Sequence, residues 1–435
     1  MNRSIATAIL ICAIALIPRA LSVQWNTIVH GDIAGDAGAA ASFADIQQLL
    51  VTREPNTITP HYLPPGIARN LLIAHPPIWS LLGAGVISVL RFDPTPEQGY
   101  LALKLLSVLS GMAVLVLSFI VARKLFDHAA ALWILVWLSA SYLLIDYSGN
   151  GSLYSLQAAT YLVWILVAYK PLRHKPVWLG VVSGIAYLVN HQSMILAAAS
   201  AVFLLVSRET KQKRLWDFAI VTLVTFLIAL PWLLRNQLIY DSWLFGHTIN
   251  ATYVYVKAGI SHYSIGDRSY YDIGMPEKLH IWYMILTVWL PNNLYYIARK
   301  LFILAPVMFA FFSFAWVDYL FSHKRVRIML PVLLVCVLHI LLSAAWPITK
   351  FRYFVPLLPL VYFVGMDQFR SLRLSSTRQR GFLVLTTVCV VVLSYLTYHS
   401  TPTHTYYYDG AITQDPFHSR GEMNFLKEKG FITEE

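Results

Sequence analysis

Charged residues and cysteines are both scarce in this chain of 435 residues. Only 13% of the residues are charged and 57% are hydrophobic, which excludes an ordinary soluble domain. The three cysteines, Cys12, Cys336 and Cys389, all fall inside apolar runs, where a single cysteine usually acts as a small hydrophobic side chain. The sequence therefore offers neither a disulfide framework nor a cysteine zinc site.

Motifs for nucleotide binding and for zinc-dependent hydrolysis are also missing. The sequence contains no Walker loop, no dinucleotide fingerprint and no HExxH pattern. A nucleotide-driven pump is therefore not expected. The basic residues lie in short connectors instead of one patch, which argues against a nucleic-acid partner.

Apolar runs long enough to cross a bilayer recur along the chain instead. We predict an all-α polytopic membrane protein, a bundle of about 11 transmembrane helices with external interfacial helices. The predicted spans are 4–24, 100–122, 129–147, 152–169, 177–190, 192–207, 215–234, 301–321, 328–346, 353–369 and 381–399. The runs 177–190 and 192–207 are short, so one re-entrant hairpin is the alternative. For the first run, the alternative is a cleaved signal peptide.

The positive charge is distributed unevenly between the two sides of this layout. The formal net charge is +11, and most of the excess falls in connectors that the layout places on one side. This is the positive-inside pattern, so that side is predicted to be cytoplasmic. The domain 1–399 then has long external loops at about 25–99 and 235–300, followed by a short external tail, 400–435. Since long loops tend to carry function, the working face is predicted to be external.

Two carboxylates stand among glycines in the first long loop. Asp32 and Asp36 precede an alanine-rich stretch, 36–50, whose apolar residues have helical spacing. We predict a short amphipathic helix lying on the membrane, with Asp36 at or near its N-terminus. A carboxylate there can serve as a general base toward an alcohol, or simply as a solvated acid or helix cap.

Two further segments are predicted to lie at the interface without crossing it. The triplet 75–77 (His-Pro-Pro) begins an apolar piece, Ile78 to Leu90, that is too short to span. The apolar segment Ile281 to Leu290 is followed by a Pro-Asn-Asn interruption at 291–293. If this segment crossed the membrane, the basic connector that follows would fall on the external side, so an interfacial location is favoured.

Cations at the predicted external boundary run against the positive-inside trend. These are Arg235, Lys350, Arg352 and Lys104, and they are candidate partners for a lipid phosphate. The alternative is that they are interfacial anchors whose side chains reach water. Polar residues inside or near the spans are interpreted as satisfied packing residues: Asp146, His191 and His339.

Four segments occur in the order typical of a known family. They are the Gly-Asp pair at 35–36, His-Pro-Pro-Ile-Trp at 75–79, Pro-Trp-Leu-Leu-Arg-Asn at 231–236 and Phe-Arg-Tyr-Phe-Val-Pro-Leu-Leu-Pro at 351–359. The chain thereby resembles the membrane-embedded GT-C glycosyltransferases, in the group that includes protein O-mannosyltransferases and the aminoarabinose transferase of lipid A. The resembling pieces cover about residues 4–370.

The resemblance implies a polyprenyl-phosphate-linked sugar as donor and an external glycan, lipid or protein as acceptor. It implies that Asp36 is the general base of an inverting transfer, and that Arg235 and Arg352 neutralise the leaving phosphate. His75 stands where some relatives have a phosphate-facing lysine.

Many relatives have Asp-Glu in the first loop, whereas Ala37 follows Asp36 here. Asp32 is therefore a possible substitute or partner for Asp36. The two acids could hold a divalent cation, as in oligosaccharyltransferase relatives, but two loop acids without further ligands favour no metal and no cofactor.

Two other functions stay open from the sequence. One is a transporter or flippase of a lipid-linked sugar, although clear repeats and a mid-membrane charge track are not seen. The other is a polymer ligase that uses a lipid diphosphate donor. The short connectors are typical of a bacterial inner-membrane protein, with the active site facing the periplasm.

Overall fold

The computed structural model describes residues 3–25, 31–44, 75–206, 209–240, 243, 275–347, 351–372 and 374–400. Most of these residues are helical and none of them is in a strand, so the predicted all-α class is confirmed. The helices are α1 (Arg3–Trp25), α2 (Gly31–Ala44), α3 (Ile78–Leu90), α4 (Pro96–Leu125), α5 (His128–Ala140), α6 (Tyr142–Asp146), α7 (Tyr154–Tyr169), α8 (Lys175–Val189), α9 (Ile195–Leu205), α10 (Lys211–Tyr240), α11 (Met275–Met284), α12 (Leu290–Leu304), α13 (Pro306–Phe321), α14 (His323–Ala345), α15 (Leu358–Ser371) and α16 (Ser376–Ser400).

Five of these helices are long and apolar enough to cross a membrane: α1, α4, α10, α14 and α16. The other predicted spans coincide with shorter helices, and breaks divide two of the runs. The run 129–147 divides at Ser141, between α5 and α6. The run predicted at 301–321 begins at Pro306, because α12 ends at Leu304 and Ala305 leaves helical geometry.

A buried arginine joins α1 to α5. Arg19 is completely buried, and its guanidinium donates to the carbonyls of Leu138 and Ser139, each at 3.2 Å. It also donates to Ala15 in its own helix at 3.0 Å. The carbonyls of the last turn of a helix have no partner within that helix and carry partial negative charge. Arg19 therefore caps the C-terminal end of α5 and anchors α1 in the bundle.

We expect Arg19→Met to destabilise the protein, since methionine fills part of the space but donates no hydrogen bond. Each buried carbonyl left without a donor costs about 1–3 kcal/mol. Thermal unfolding in detergent checks this against Arg370→Met, the same change at a half-exposed side chain that pairs with Asp127. Equal midpoints for the two variants would contradict the capping role.

The alanine-rich helix α2 is buried, which corrects the predicted amphipathic helix on the membrane. Ala37 to Ala41, except Gly38, are at most 2% exposed. A Cβ added at Gly83 would lie 2.8 Å from the Ala40 Cβ, and one added at Gly99 would clash with the Ala37 carbonyl oxygen. The small residues thus serve close packing of α2 against α3 and α4.

The bounds of α2 also differ from the prediction. The helix begins at Gly31, so Asp36 lies in its second turn and not at its N-terminus. The predicted C-terminal part, 45–50, lies outside the described residues. By contrast, α3 has the predicted bounds, Ile78–Leu90.

A non-helical segment, 147–153, is buried between α6 and α7. Trp79 Nε1 donates to the Gly151 carbonyl at 3.1 Å, and Ser107 Oγ donates to the Ser152 carbonyl at 3.0 Å. Gly151 has a φ of 83°, which favours glycine. Irregular backbone is tolerated at this depth because side chains of α3 and α4 satisfy its carbonyls.

The second long loop contains more helix than predicted. Residues 275–304 are continuously helical, with a π turn at Ile285–Trp289 between α11 and α12. Pro291 does not interrupt the helix, because it lies in the first turn after the π turn. Asn293 Nδ2 donates to the carbonyls of Ala344 and Trp346, which attaches α12 to the end of α14. An interfacial location for 281–290 stays a prediction.

Charges predicted for the cytoplasmic side meet in ion pairs. Arg325 contacts both Asp318 and Asp367, the latter at 2.6 Å, and Arg370 lies 2.8 Å from Asp127. The predicted membrane topology places all five residues on the cytoplasmic side. Their proximity groups them at one end of the helices, opposite the site described next.

Candidate functional site

The centre of the candidate site is a buried acid–imidazole pair. Asp36 Oδ2 lies 2.9 Å from His75 Nδ1, and the two side chains are 6% and 14% exposed. Packing of α2 against α3 brings the residues together across 39 positions in the chain, since His75 precedes α3 by three residues. A buried carboxylate requires such a hydrogen-bonding partner. The sequence suggested each residue separately but not their contact.

Two predicted site residues have undescribed side chains. Asp32 lies in the first turn of α2, but only its backbone belongs to the part of the chain that the structure describes. Lys350 lies outside the described residues altogether. Their roles stay predictions.

Lys104 lies near the start of α4 and contacts the end of α1. Its Nζ donates to the Val23 carbonyl at 3.0 Å and lies 4.3 Å from the centroid of the Tyr100 ring. The residue is buried, at 8% exposure. Since Val23 belongs to the last turn of α1, Lys104 caps that helix. This structural contact is one that the sequence did not indicate.

Arg352 projects from a 3-10 turn, Phe351–Phe354, that is otherwise buried. Its guanidinium lies 5.6 Å from the ring centroids of both Tyr154 and Tyr353. A guanidinium against two aromatic rings is held in a defined plane. The half-buried Arg352 is therefore oriented by these rings, and its contact with a phosphate stays a prediction.

Arg235 lies near the end of α10, beside an aromatic cluster. Its guanidinium lies 4.8 Å from the Trp232 ring centroid, and Nη1 donates to Asn236 Oδ1 at 3.1 Å. Trp232 belongs to the same buried hydrophobic cluster as Tyr187 of α8. Arg235 is thus half-buried and oriented, as Arg352 is.

Lys300 is a site-adjacent cation that the sequence analysis missed. It is 8% exposed, and its Nζ lies 5.0 Å from the Phe351 ring centroid and 5.9 Å from that of Phe354. A buried lysine in a helix next to Arg352 concentrates positive charge at this turn. The available signal was a lysine at the edge of an apolar run, which is a functional hypothesis by default.

The buried segment 147–153 and the residue after it contact both the first turn of α3 and Arg352. Trp79 of α3 binds Gly151, and three residues later Tyr154 contacts Arg352. Asp36, His75 and Arg352 therefore belong to one end of the bundle. Chemically, this end combines a buried carboxylate with oriented guanidinium groups, which suits proton abstraction beside a leaving anion.

The residues interpreted as packing groups are indeed buried. Asp146 is 0% exposed, His191 7% and His339 1%. Both ring nitrogens of His339 are engaged, with the Tyr161 hydroxyl at 3.1 Å and the Tyr353 carbonyl at 2.7 Å. The prediction that His339 is a satisfied buried histidine is confirmed.

Comparison with known proteins places this geometry in a family context. Residues 74–234 match the family model of the dolichyl-phosphate-mannose-protein mannosyltransferases. This segment includes His75 and Lys104, whereas Arg235 follows it directly. A search of curated protein sequences finds no significant match.

Solved structures share the fold over nearly the whole chain. ArnT from Cupriavidus metallidurans, bound to undecaprenyl phosphate, aligns with a TM-score of 0.57 and 15% identity over 91% of this chain. The oligosaccharyltransferase AglB from Archaeoglobus fulgidus, in complex with an inhibitory peptide and a dolichol-phosphate, aligns with a TM-score of 0.55 and 12% identity over 97%. The chain spans 65% of the ArnT chain and 59% of the AglB chain.

These matches confirm the resemblance that the ordered motifs indicated. Together with the apolar helices, they identify an integral membrane protein. The chain has the fold of the GT-C glycosyltransferases, and its segment 74–234 is similar in sequence to the dolichyl-phosphate-mannose-protein mannosyltransferases.

Proposed function

We propose that this protein is an inverting glycosyltransferase that moves a sugar from a polyprenyl-phosphate donor to an external glycan, lipid or protein. The observation that carries the proposal is the buried Asp36–His75 pair at the same end of a GT-C fold as Arg352. Lipid phosphates bound to ArnT and AglB support the class of donor.

The proposed reaction is a single displacement. The acceptor oxygen or nitrogen attacks the anomeric carbon while its proton passes to the Asp36 carboxylate. The bond from the anomeric carbon to the phosphate oxygen breaks, and its electron pair leaves with the polyprenyl phosphate. Because attack and departure occur on opposite faces, the configuration inverts. The hydrogen bond from His75 Nδ1 holds the carboxylate in one orientation for this transfer.

The leaving phosphate gains charge as the bond breaks, and the cations of the site would neutralise it. Arg352 and Arg235 are the first candidates, because an oriented guanidinium can donate two parallel hydrogen bonds to phosphate oxygens. His75, Lys104 and Lys350 are proposed as further contacts. Of these, His75 contacts Asp36 through Nδ1 and so lies beside the proposed base.

The charge distribution supports an external active site. Along α4, Lys104 lies at the site end, whereas Arg123 and Lys124 lie in the last turn. The pairs of Arg325 and Arg370 occupy the end that the positive-inside rule assigns to the cytoplasm. We therefore propose that the site faces the periplasm of a bacterial inner membrane, and that the polyprenyl chain lies among the apolar helices.

A donor assay tests the proposal. Purified protein in nanodiscs is incubated with a panel of polyprenyl-phosphate sugars and cell-envelope acceptors, and release of polyprenyl phosphate is measured. We expect release from at least one monophosphate donor and none from the corresponding diphosphate donors. Parallel reactions with EDTA or added Mg²⁺ and Mn²⁺ test the proposed metal independence.

Two outcomes would contradict the proposal. Turnover only with diphosphate donors would favour a polymer ligase. Binding of the donor without release, together with movement of the lipid-linked sugar across a sealed vesicle, would favour a flippase.

A further inference from the structure

A chain of buried side-chain hydrogen bonds crosses the bundle. Asn190 Nδ2 lies 3.1 Å from Gln157 Oε1, and Gln157 Nε2 lies 3.0 Å from the Tyr161 hydroxyl. The Tyr161 hydroxyl is 3.1 Å from His339 Nδ1, and His339 Nε2 is 2.7 Å from the Tyr353 carbonyl oxygen. All five residues are at most 5% exposed.

Backbone groups at both ends set the direction of every bond. At one end, the Gln192 backbone N–H can only donate, and it lies 3.0 Å from Asn190 Oδ1. Asn190 therefore presents its amide hydrogens to Gln157, and Gln157 in turn presents its own to Tyr161. The Tyr161 oxygen accepts that bond, so its hydrogen points onward.

At the other end, the Tyr353 carbonyl can only accept. His339 Nε2 must therefore carry a hydrogen, and Nδ1 accepts the hydrogen of Tyr161. Each of the four side chains from Asn190 to His339 then gives one hydrogen bond and receives one within this chain. Replacing any member leaves a buried group without its partner. The chain therefore favours one arrangement of the residues that form it.

One end of this chain adjoins Arg352, and the other end is connected to Arg235 through a cluster of aromatic residues. Tyr353 follows Arg352 in the turn Phe351–Phe354. At the far end, Asn190 precedes His191, whose ring lies 5.4 Å from that of Tyr187. Tyr187 shares a buried hydrophobic cluster with Trp232, on which the Arg235 guanidinium lies.

We infer that His339 is a positioning residue that holds the Arg352 turn through the Tyr353 carbonyl, and that the hydrogen-bond chain sets the position of Arg352 relative to Arg235 for the donor phosphate. The inference rests on the proposed function, because the phosphate is the leaving group of that reaction. A 3-10 turn has poorer internal hydrogen bonds than an α-helix, so an external donor matters more for its geometry.

A matched pair of variants tests the inference. In His339→Gln the amide nitrogen occupies nearly the place of Nε2 and still donates to Tyr353. In His339→Asn the amide reaches only the place of Nδ1, so the Tyr353 carbonyl loses its donor. We expect the Asn variant to raise the KM for the polyprenyl-phosphate sugar about 10-fold or more, since a buried acceptor is left unsatisfied. The Gln variant should stay within about 2- to 3-fold of wild type.

A double variant separates positioning from general destabilisation. If His339 acts through Arg352, adding His339→Asn to Arg352→Lys raises KM far less than the product of the two single effects. Multiplicative effects, or equal KM increases in the Asn and Gln variants, would overturn the inference. Thermal midpoints are measured for each variant, so that loss of folded protein is not read as loss of affinity.

Binding of undecaprenyl phosphate, measured in parallel, distinguishes failure of the inference from failure of the proposed function. If wild-type protein binds undecaprenyl phosphate but releases none from any donor, the transferase function is contradicted. The inference is then judged on the dissociation constants of the two variants. Equal dissociation constants for wild type and His339→Asn overturn the inference alone. Wild-type protein without binding or turnover overturns both.

Discussion

Asp36→Asn is expected to reduce turnover by about 10²–10⁴-fold, the range usually lost with a general base. Asparagine has nearly the same shape, but its amide cannot accept a proton at neutral pH. Its side-chain oxygen can still accept the hydrogen bond from His75 Nδ1, so the packing of α2 against α3 should survive. The loss should therefore fall on kcat, with little change in donor binding.

Asp127→Asn is the matched control for this substitution. Asp127 caps α5 by accepting from the Ala130 N–H at 2.9 Å, and asparagine caps a helix equally well. It lies at the opposite end of the bundle, where it pairs with Arg370. Full activity is expected in this variant. Asp32→Asn is measured alongside, and retention of transfer in both Asp36→Asn and Asp32→Asn would refute the assignment of the base.

Arg352→Met is expected to lower kcat/KM by about 10²–10³-fold, the loss that follows removal of one charged or polar donor from a developing anion. Methionine keeps an apolar contact with Tyr154 and Tyr353 but removes both the charge and the hydrogen-bonding edge. Arg352→Lys should fall between wild type and Met, because lysine restores the charge without the planar fork.

Arg370→Met provides the control for Arg352→Met. Arg370 forms a half-exposed pair with Asp127, and such pairs contribute only about 0–1 kcal/mol. The measurement is steady-state release of polyprenyl phosphate over a range of donor concentrations. If Arg352→Met and Arg370→Met behave alike, Arg352 has no special relation to the leaving group.

Local pattern was sufficient for much of the helical layout. The bounds of α3 were predicted correctly, since a proline pair followed by an apolar run marks its start. In the structure the helix is capped at Arg91, which has a left-handed conformation. Asp36 and His75 were each singled out from glycine and proline context. Neither context contains information about the other residue, so their 2.9 Å contact was not predictable.

The sequence did not predict the burial of α2, because an alanine-rich stretch does not distinguish a surface helix from a buried one. An alanine-rich stretch is compatible with a weakly amphipathic surface helix or with close packing. The partners that resolve this, Gly83 and Gly99, lie about 40–60 positions further along the chain. Arg19 shows the same limitation: its function as a cap depends on the end of α5, 120 residues away.

Tyr161 and His339 illustrate the same limitation over a longer separation than Arg19, since they lie 178 positions apart yet share a buried hydrogen bond. Length, apolar run length and the placement of cations along the chain were enough to establish a membrane-embedded helical bundle, because each of these depends on one segment and its solvent. The ordered motifs were enough for the family resemblance. The acid–imidazole pair, the orientation of Arg235 and Arg352 and the hydrogen-bond chain near them depend on which helices touch, and packing sets those contacts between segments far apart in sequence.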